Sequence, residues 1–129
     1  MSMYPTVLYD DAKAAIRRLE DAFGFTEVCV YEDEHGSVTH AELSYGTGLV
    51  MVGSKGREGV FAEAMAESGP VGVYVVVGDV DAHHARAAEQ GMEILMAPAD
   101  QDYGSRNYTA RDAEGNVWSF GTYAPGGGE

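Results

Sequence analysis

The chain has 129 residues, of which 45% are hydrophobic and 22% charged, a balance that lets one ordinary domain bury a core without disulfides or a structural metal. Acidic residues outnumber basic ones 21 to 8, for a formal net charge of −13. That sign argues against nucleic acid and anionic membranes, which demand clustered lysine and arginine, and leaves neutral or cationic small molecules as partners. Cys29 is the single cysteine, so neither an internal disulfide nor a cysteine-rich zinc site can form. Its place in the run Val28-Cys29-Val30 predicts a buried, inert thiol. The opening Met1-Ser2-Met3-Tyr4-Pro5 has no basic start and no apolar stretch, and no run approaches a membrane span; the expectation is a cytoplasmic protein.

In chain order, residues 4–9 read as a short strand. Asp10 or Asp11 then caps a helix in which Ala15, Ile16, Leu19, Ala22 and Phe23 recur at helical spacing, and Gly24 ends it. Strands follow at 26–32, 38–45 and 49–52, separated by the turn sequences Asp33-Glu34-His35-Gly36 and Gly46-Thr47-Gly48. The first half is thus β-α-β-β-β. Residues 54–70 read as a linker with room for one helical turn, and its Phe61 and Met65 are placed to cover something apolar. The order then repeats: a strand at 71–77, a helix from its Asp79 cap to Gln90, and a stop at Gly91. A strand at 92–96, a loop at 97–104 containing Pro98, and strands at 105–111 and 116–123 complete the second half.

The fold class is therefore α+β: two tandem β-α-β-β-β modules forming a cup-shaped mixed sheet, with helices on the outer face. The whole chain, 1–129, is taken as one domain. Its first module is about 4–53, its linker about 54–70, its second module about 71–123, and residues 124–129 form a flexible tail.

This duplicated order, with three stretches of text, resembles the vicinal oxygen chelate superfamily of glyoxalases, extradiol dioxygenases, and fosfomycin and bleomycin resistance proteins. Gly78-Asp79-Val80-Asp81-Ala82 is similar to its second strand-to-helix junction. Tyr103-Gly104-Ser105-Arg106, followed by Arg111-Asp112-Ala113-Glu114-Gly115-Asn116-Val117-Trp118, is similar to its closing hairpin. His40-Ala41-Glu42-Leu43 before a glycine turn is similar to one of its branches. The resemblance spans residues 4–123 and implies a homodimer.

It also implies a divalent metal held by one histidine, glutamine or glutamate on each of four strands. Carried over residue by residue, those positions hold Tyr4, Val50, Gly72 and Ser119; moving the second by one residue gives Met51. None of these side chains is a good ligand for a hard divalent ion. The expectation is a site without metal or cofactor.

Alternation anchored on those positions places Tyr4, Thr6, Gly72, Tyr74, Asn107 and Ser119 around a cavity, and turns Trp118 and Phe120 the other way, under the helices. Tyr4 and Tyr74 would stack on a flat ligand, and Tyr103 and Arg106 at the mouth would grip a carboxylate or carbonyl. His40 and Glu42, two apart, share a strand face. They read as half of a metal site whose other half the sequence does not supply, as a rim pair, or as a general base. His83 and His84 are adjacent on a helix and diverge, so they cannot chelate together, and His84 lies in line with Val80 and Ala87 as a packed residue.

The resemblance then implies a metal-free small-molecule binding protein of the bleomycin-resistance type. It would sequester an aromatic or cationic natural product in a dimer cleft and so confer antibiotic resistance. The alternative is a glyoxalase-like lyase or isomerase using His40 and Glu42 or a recruited divalent metal.

Overall fold

A computed structural model describes residues 1–102 and 104–127. The chain divides into two compact units, residues 1–69 and 70–129. In the first, the elements are β1 (Thr6–Tyr9), α1 (Ala12–Phe23), β2 (Thr26–Glu32), β3 (Val38–Tyr45), β4 (Gly48–Ser54) and α2 (Val60–Met65). The second holds β5 (Gly72–Val76), α3 (Val80–Glu89), β6 (Glu93–Asp100), β7 (Arg106–Arg111) and β8 (Val117–Gly121), followed by a 3-10 turn at Pro125–Gly127. Each unit carries one four-stranded mixed sheet, in the order β1-β4-β3-β2 and β5-β8-β7-β6. In both, the first strand runs parallel to the last and the remaining pairs are antiparallel. The α+β class and the tandem β-α-β-β-β order are as the sequence predicts.

Local chemistry explains the helix limits. Of the two aspartates before α1, Asp11 is the cap, accepting the Ala14 amide at 3.1 Å, and Asp79 accepts the Ala82 amide at 3.0 Å ahead of α3. Gly24 takes φ 80° at the end of α1, a left-handed conformation that costs glycine nothing. The α1 helix packs across β1, β3 and β4, burying Ile16, Leu19 and Phe23 against Val7, Leu43 and Val52. The α3 helix packs on β6 and β7, over a core containing Tyr108, Trp118 and Phe120.

Several strand boundaries differ from the sequence expectation, three of them informatively. The first strand begins at Thr6, because Pro5 has no amide hydrogen and only its carbonyl joins the ladder, accepting from Met51. The fourth strand runs on to Ser54, and the expected linker contains the six-residue α2. The strand expected to stop at Met96 continues through Pro98 to Asp100. It is an edge strand, where a missing amide donor can face away from the ladder, and two register shifts absorb the irregularity. Of the expected tail, Gly128 and Glu129 lie outside the described residues.

Candidate functional site

The first sheet has one face under α1 and one open face. Register assigns the side chains: Leu43 pairs with Val50 and Ala41 with Val52, all four at most 2% exposed. Their neighbours Glu42 and Met51 pair with each other, and Met51 also pairs with Thr6, so these three turn to the open face. This corrects the assignment of Val50 to the cavity. Val50 belongs to the core, and the residue facing outward is Met51, one position on.

On that open face lies a hollow of about 510 Å³. Thr6, Leu8, Met51 and Gly53 line it from the sheet, His40 from β3, and Arg57 to Ala62 from the segment containing α2. Of the two residues expected to cover something apolar, Phe61 lines this hollow while being 56% exposed, and Met65 is not among its lining residues. Sequence reasoning missed Arg57, Glu58 and Val60. Their segment has no periodicity of its own, and the one signal available was the exposed aromatic among small and charged residues.

Next to the hollow, His40 Nε2 stands 2.7 Å from Glu42 Oε2. Cys29 is the register partner of Glu42. This pairing exists because β2 carries a bulge: Glu27 pairs with Leu43 and Cys29 with Glu42, leaving Val28 as the extra residue. Unbroken alternation would have put Cys29 opposite Ala41, on the buried side. The expected buried, inert thiol is thus corrected to a partly exposed one on the open face, while Val28 is 54% exposed. Partial desolvation, then the Glu42 carboxylate, push the thiol above its ordinary range.

In the second unit, Gly72 pairs with Val117, Tyr74 with Ser119 and Asn107 with Gly121, so Gly72, Tyr74, Ser119 and Asn107 share a face as expected from alternation. At Gly72 an added Cβ would meet only the Val117 carbonyl oxygen at 4.0 Å, whereas the other three are engaged by neighbouring groups. A Cβ on Gly121 would collide with the Asn107 carboxamide and the Tyr74 hydroxyl, which close over that glycine. Asn107 is only 9% exposed and accepts from the Ser105 hydroxyl, which corrects its assignment as a ligand contact. The Tyr74 hydroxyl donates to the Tyr123 carbonyl at 2.7 Å, and Ser119 shares a hydrogen bond with Thr109 at 3.1 Å. Tyr4 precedes β1 and is 52% exposed. Tyr103 lies outside the described residues.

Arg106 is the clearest correction. Its Nε and one terminal nitrogen donate to both oxygens of Asp81 at 3.1 and 3.0 Å, and its other terminal nitrogen donates to Asp100 at 3.2 Å. The fork expected to grip a ligand is filled by two of the chain's own carboxylates, which push the guanidinium pKa up. In return, Arg106 holds the Asp81 carboxyl below its ordinary range. A carboxyl depressed in the native state contributes stability above its unfolded pKa and loses it as pH falls through the native one. Asp81→Asn is therefore expected to lower Tm by a few degrees at most near neutrality. That difference should close on acidification, as thermal melts between about pH 2 and 7 would show. A deficit that persists in acid would mean the pair adds no charge-dependent stability.

His83 and His84 are packing residues. The His83 ring lies 4.3 Å from Phe120 and its Nδ1 is bonded to the Tyr108 hydroxyl, while His84 meets Tyr108 edge-on. Trp118 and Phe120 are fully buried, on the face of β8 opposite Ser119, as expected from alternation. Asp112 explains the closing-hairpin text: its carboxylate accepts from the Glu114 and Asn116 amides, each at 3.0 Å, and from Trp118 Nε1 at 3.1 Å. That motif ties the β7–β8 turn to the start of β8.

The sequence matches the family model described as Glyoxalase/Bleomycin resistance protein/Dioxygenase superfamily over residues 4–120. Among solved structures, TioX from Micromonospora sp. ML1 is 31% identical, with a TM-score of 0.78 over 96% of this chain and 97% of that one. A glyoxalase/bleomycin resistance protein/dioxygenase from Nocardioides shares the fold at 20% identity and TM-score 0.66, covering 99% of this chain and 87% of its own. The uncharacterized protein Rv0887c of Mycobacterium tuberculosis is 29% identical over 124 residues, 93% of this chain and 73% of that protein. A divalent metal at the family's positions does not fit these residues. Met51 on β4, Gly72 on β5 and Ser119 on β8 supply neither imidazole nor carboxylate, and Tyr4 stands outside its strand.

Proposed function

The chain belongs to the glyoxalase/bleomycin resistance protein/dioxygenase superfamily, and on that premise we propose that it is a binding protein that sequesters an aromatic or cationic small molecule. The observation that supports this reading is the hollow of about 510 Å³ over the first sheet. Its volume suits a drug-sized ligand. Leu8, Met51 and Phe61 offer apolar and aromatic surface, and Glu58 and His40 offer polar contacts for a cationic or hydrogen-bonding group. Sequestration needs complementarity and slow release, so it tolerates the loss of every metal ligand that the family's enzymes use. The acidic balance of the chain favours a basic ligand over an anionic one.

The test is a thermal-shift screen of the full chain against aromatic and cationic natural products, bleomycin among them. A saturable rise in Tm with at least one of them is expected, because a ligand at about 100 times its Kd adds roughly 2.7 kcal/mol. No rise across the panel would contradict the reading. Family resemblance further supports a homodimer. Light scattering is expected to give twice the 13.8 kDa of one chain, and a monomer at working concentration would remove any cleft shared between chains.

A second reading has one observation in its favour. The 2.7 Å His40–Glu42 pair could take a proton from a carbon acid, as in a metal-free lyase or isomerase. Glu42→Gln separates the two, leaving a binder nearly intact and abolishing turnover that depends on a base.

A further inference from the structure

We propose that Cys29, His40 and Glu42 form a binding site for a divalent ion of borderline softness, zinc by preference, on the β2–β3 ribbon. Among the described residues, these three are the one group of histidine, cysteine and carboxylate ligands gathered closely enough to hold an ion. The Cys29 Sγ, one His40 ring nitrogen and one Glu42 carboxylate oxygen all lie within 4.8 Å of one another. The strands that carry them are paired residue by residue, Cys29 with Glu42 and Tyr31 with His40. The site therefore stands on rigid backbone rather than on a loop.

One irregularity in that ribbon creates the convergence. The bulge at Val28 turns Cys29 from the buried face to the face of Glu42, which His40, two residues away on β3, already shares. Bulges of this kind re-aim side chains and recur next to functional sites. A thiolate, an imidazole and a carboxylate match zinc in ligand type, with bond lengths of about 2.3, 2.0–2.1 and 2.0–2.2 Å, and three protein ligands leave a fourth position open. Hard ions such as magnesium and calcium take oxygen ligands, and a thiolate disfavours them. None of its three ligands is among the four family positions at Tyr4, Val50 or Met51, Gly72 and Ser119, although Glu42 is the register partner of Met51 and His40 also lines the hollow.

The full chain, reduced and freed of metal with a chelator, is titrated with Co²⁺ and then with Zn²⁺. The expected result is saturable uptake of one equivalent of cobalt, with a thiolate-to-cobalt charge-transfer band and the intense visible absorption of a four-coordinate site, both bleached by zinc. Cys29→Ser should remove the charge-transfer band. His40→Ala should weaken uptake by more than the roughly tenfold to hundredfold that follows loss of an outer-shell partner. The exposed His35→Ala should change neither. Far-ultraviolet circular dichroism on each variant confirms that it folds. Absence of saturable uptake, uptake without a thiolate band, or a band that survives Cys29→Ser would each overturn the proposal.

Discussion

Asp112→Ala is expected to destabilise the protein by about 3–5 kcal/mol, with a fall in Tm of roughly 10 °C or more. Asp112 is 7% exposed, and Trp118, whose indole N–H it accepts, is fully buried. The same carboxylate accepts from the Asn116 amide and from the Asn116 side chain. Removing it takes this acceptor from the Trp118 indole N–H and from the Asn116 donors, at about 1–3 kcal/mol for each buried donor left unsatisfied. Asp112→Asn keeps one acceptor oxygen and should lose about half as much. Urea unfolding followed by fluorescence reads this directly, since Trp118 is the single tryptophan. A loss below about 1 kcal/mol for the alanine variant would show that Asp112 is dispensable to the hairpin.

Met51→Trp is expected to weaken binding of any ligand found in the thermal-shift screen by about a hundredfold or more, ~2.7 kcal/mol, with little change in the stability of the free protein. Met51 lies on the open face between Thr6 and Glu42, where a larger ring fills space a ligand would occupy instead of displacing core. Gly72→Leu is the matched comparison. Nothing crowds a side chain there beyond the Val117 carbonyl at 4.0 Å, so the variant should fold, and it should bind as the parent does. Calorimetric titration of both variants decides. A loss at Gly72→Leu with none at Met51→Trp would move the binding site to the second sheet.

The sequence made the repeat visible because each module is punctuated by local chemistry. Asp11 and Asp79 cap helices through bonds spanning three residues, and Gly24 and Gly91 adopt positive φ where those helices stop. Trp118 and Phe120 followed from strict alternation on a regular strand. The site was harder to read for the same physical reason in each case: non-local pairing decides it. Alternation counted from the wrong β4 residue put Val50 in the cavity, and only the register with Leu43 shows that it is core. The bulge at Val28 inverts parity, which is why Cys29 read as buried. Arg106 meets Asp81 across 25 residues of chain, so its fork looked available when it is filled. The walls supplied by the segment around α2 come from residues with no pattern of their own.

Whether ligand occupies the hollow over the first sheet is decided by a two-dimensional amide NMR titration of the labelled chain with the strongest ligand from the thermal-shift screen. The expected result is saturable shift changes concentrated at Thr6, Met51, Gly53 and Val60 to Ala62, the residues that line the hollow. Changes concentrated instead at Gly72, Tyr74 and Ser119, with those positions silent, would contradict it.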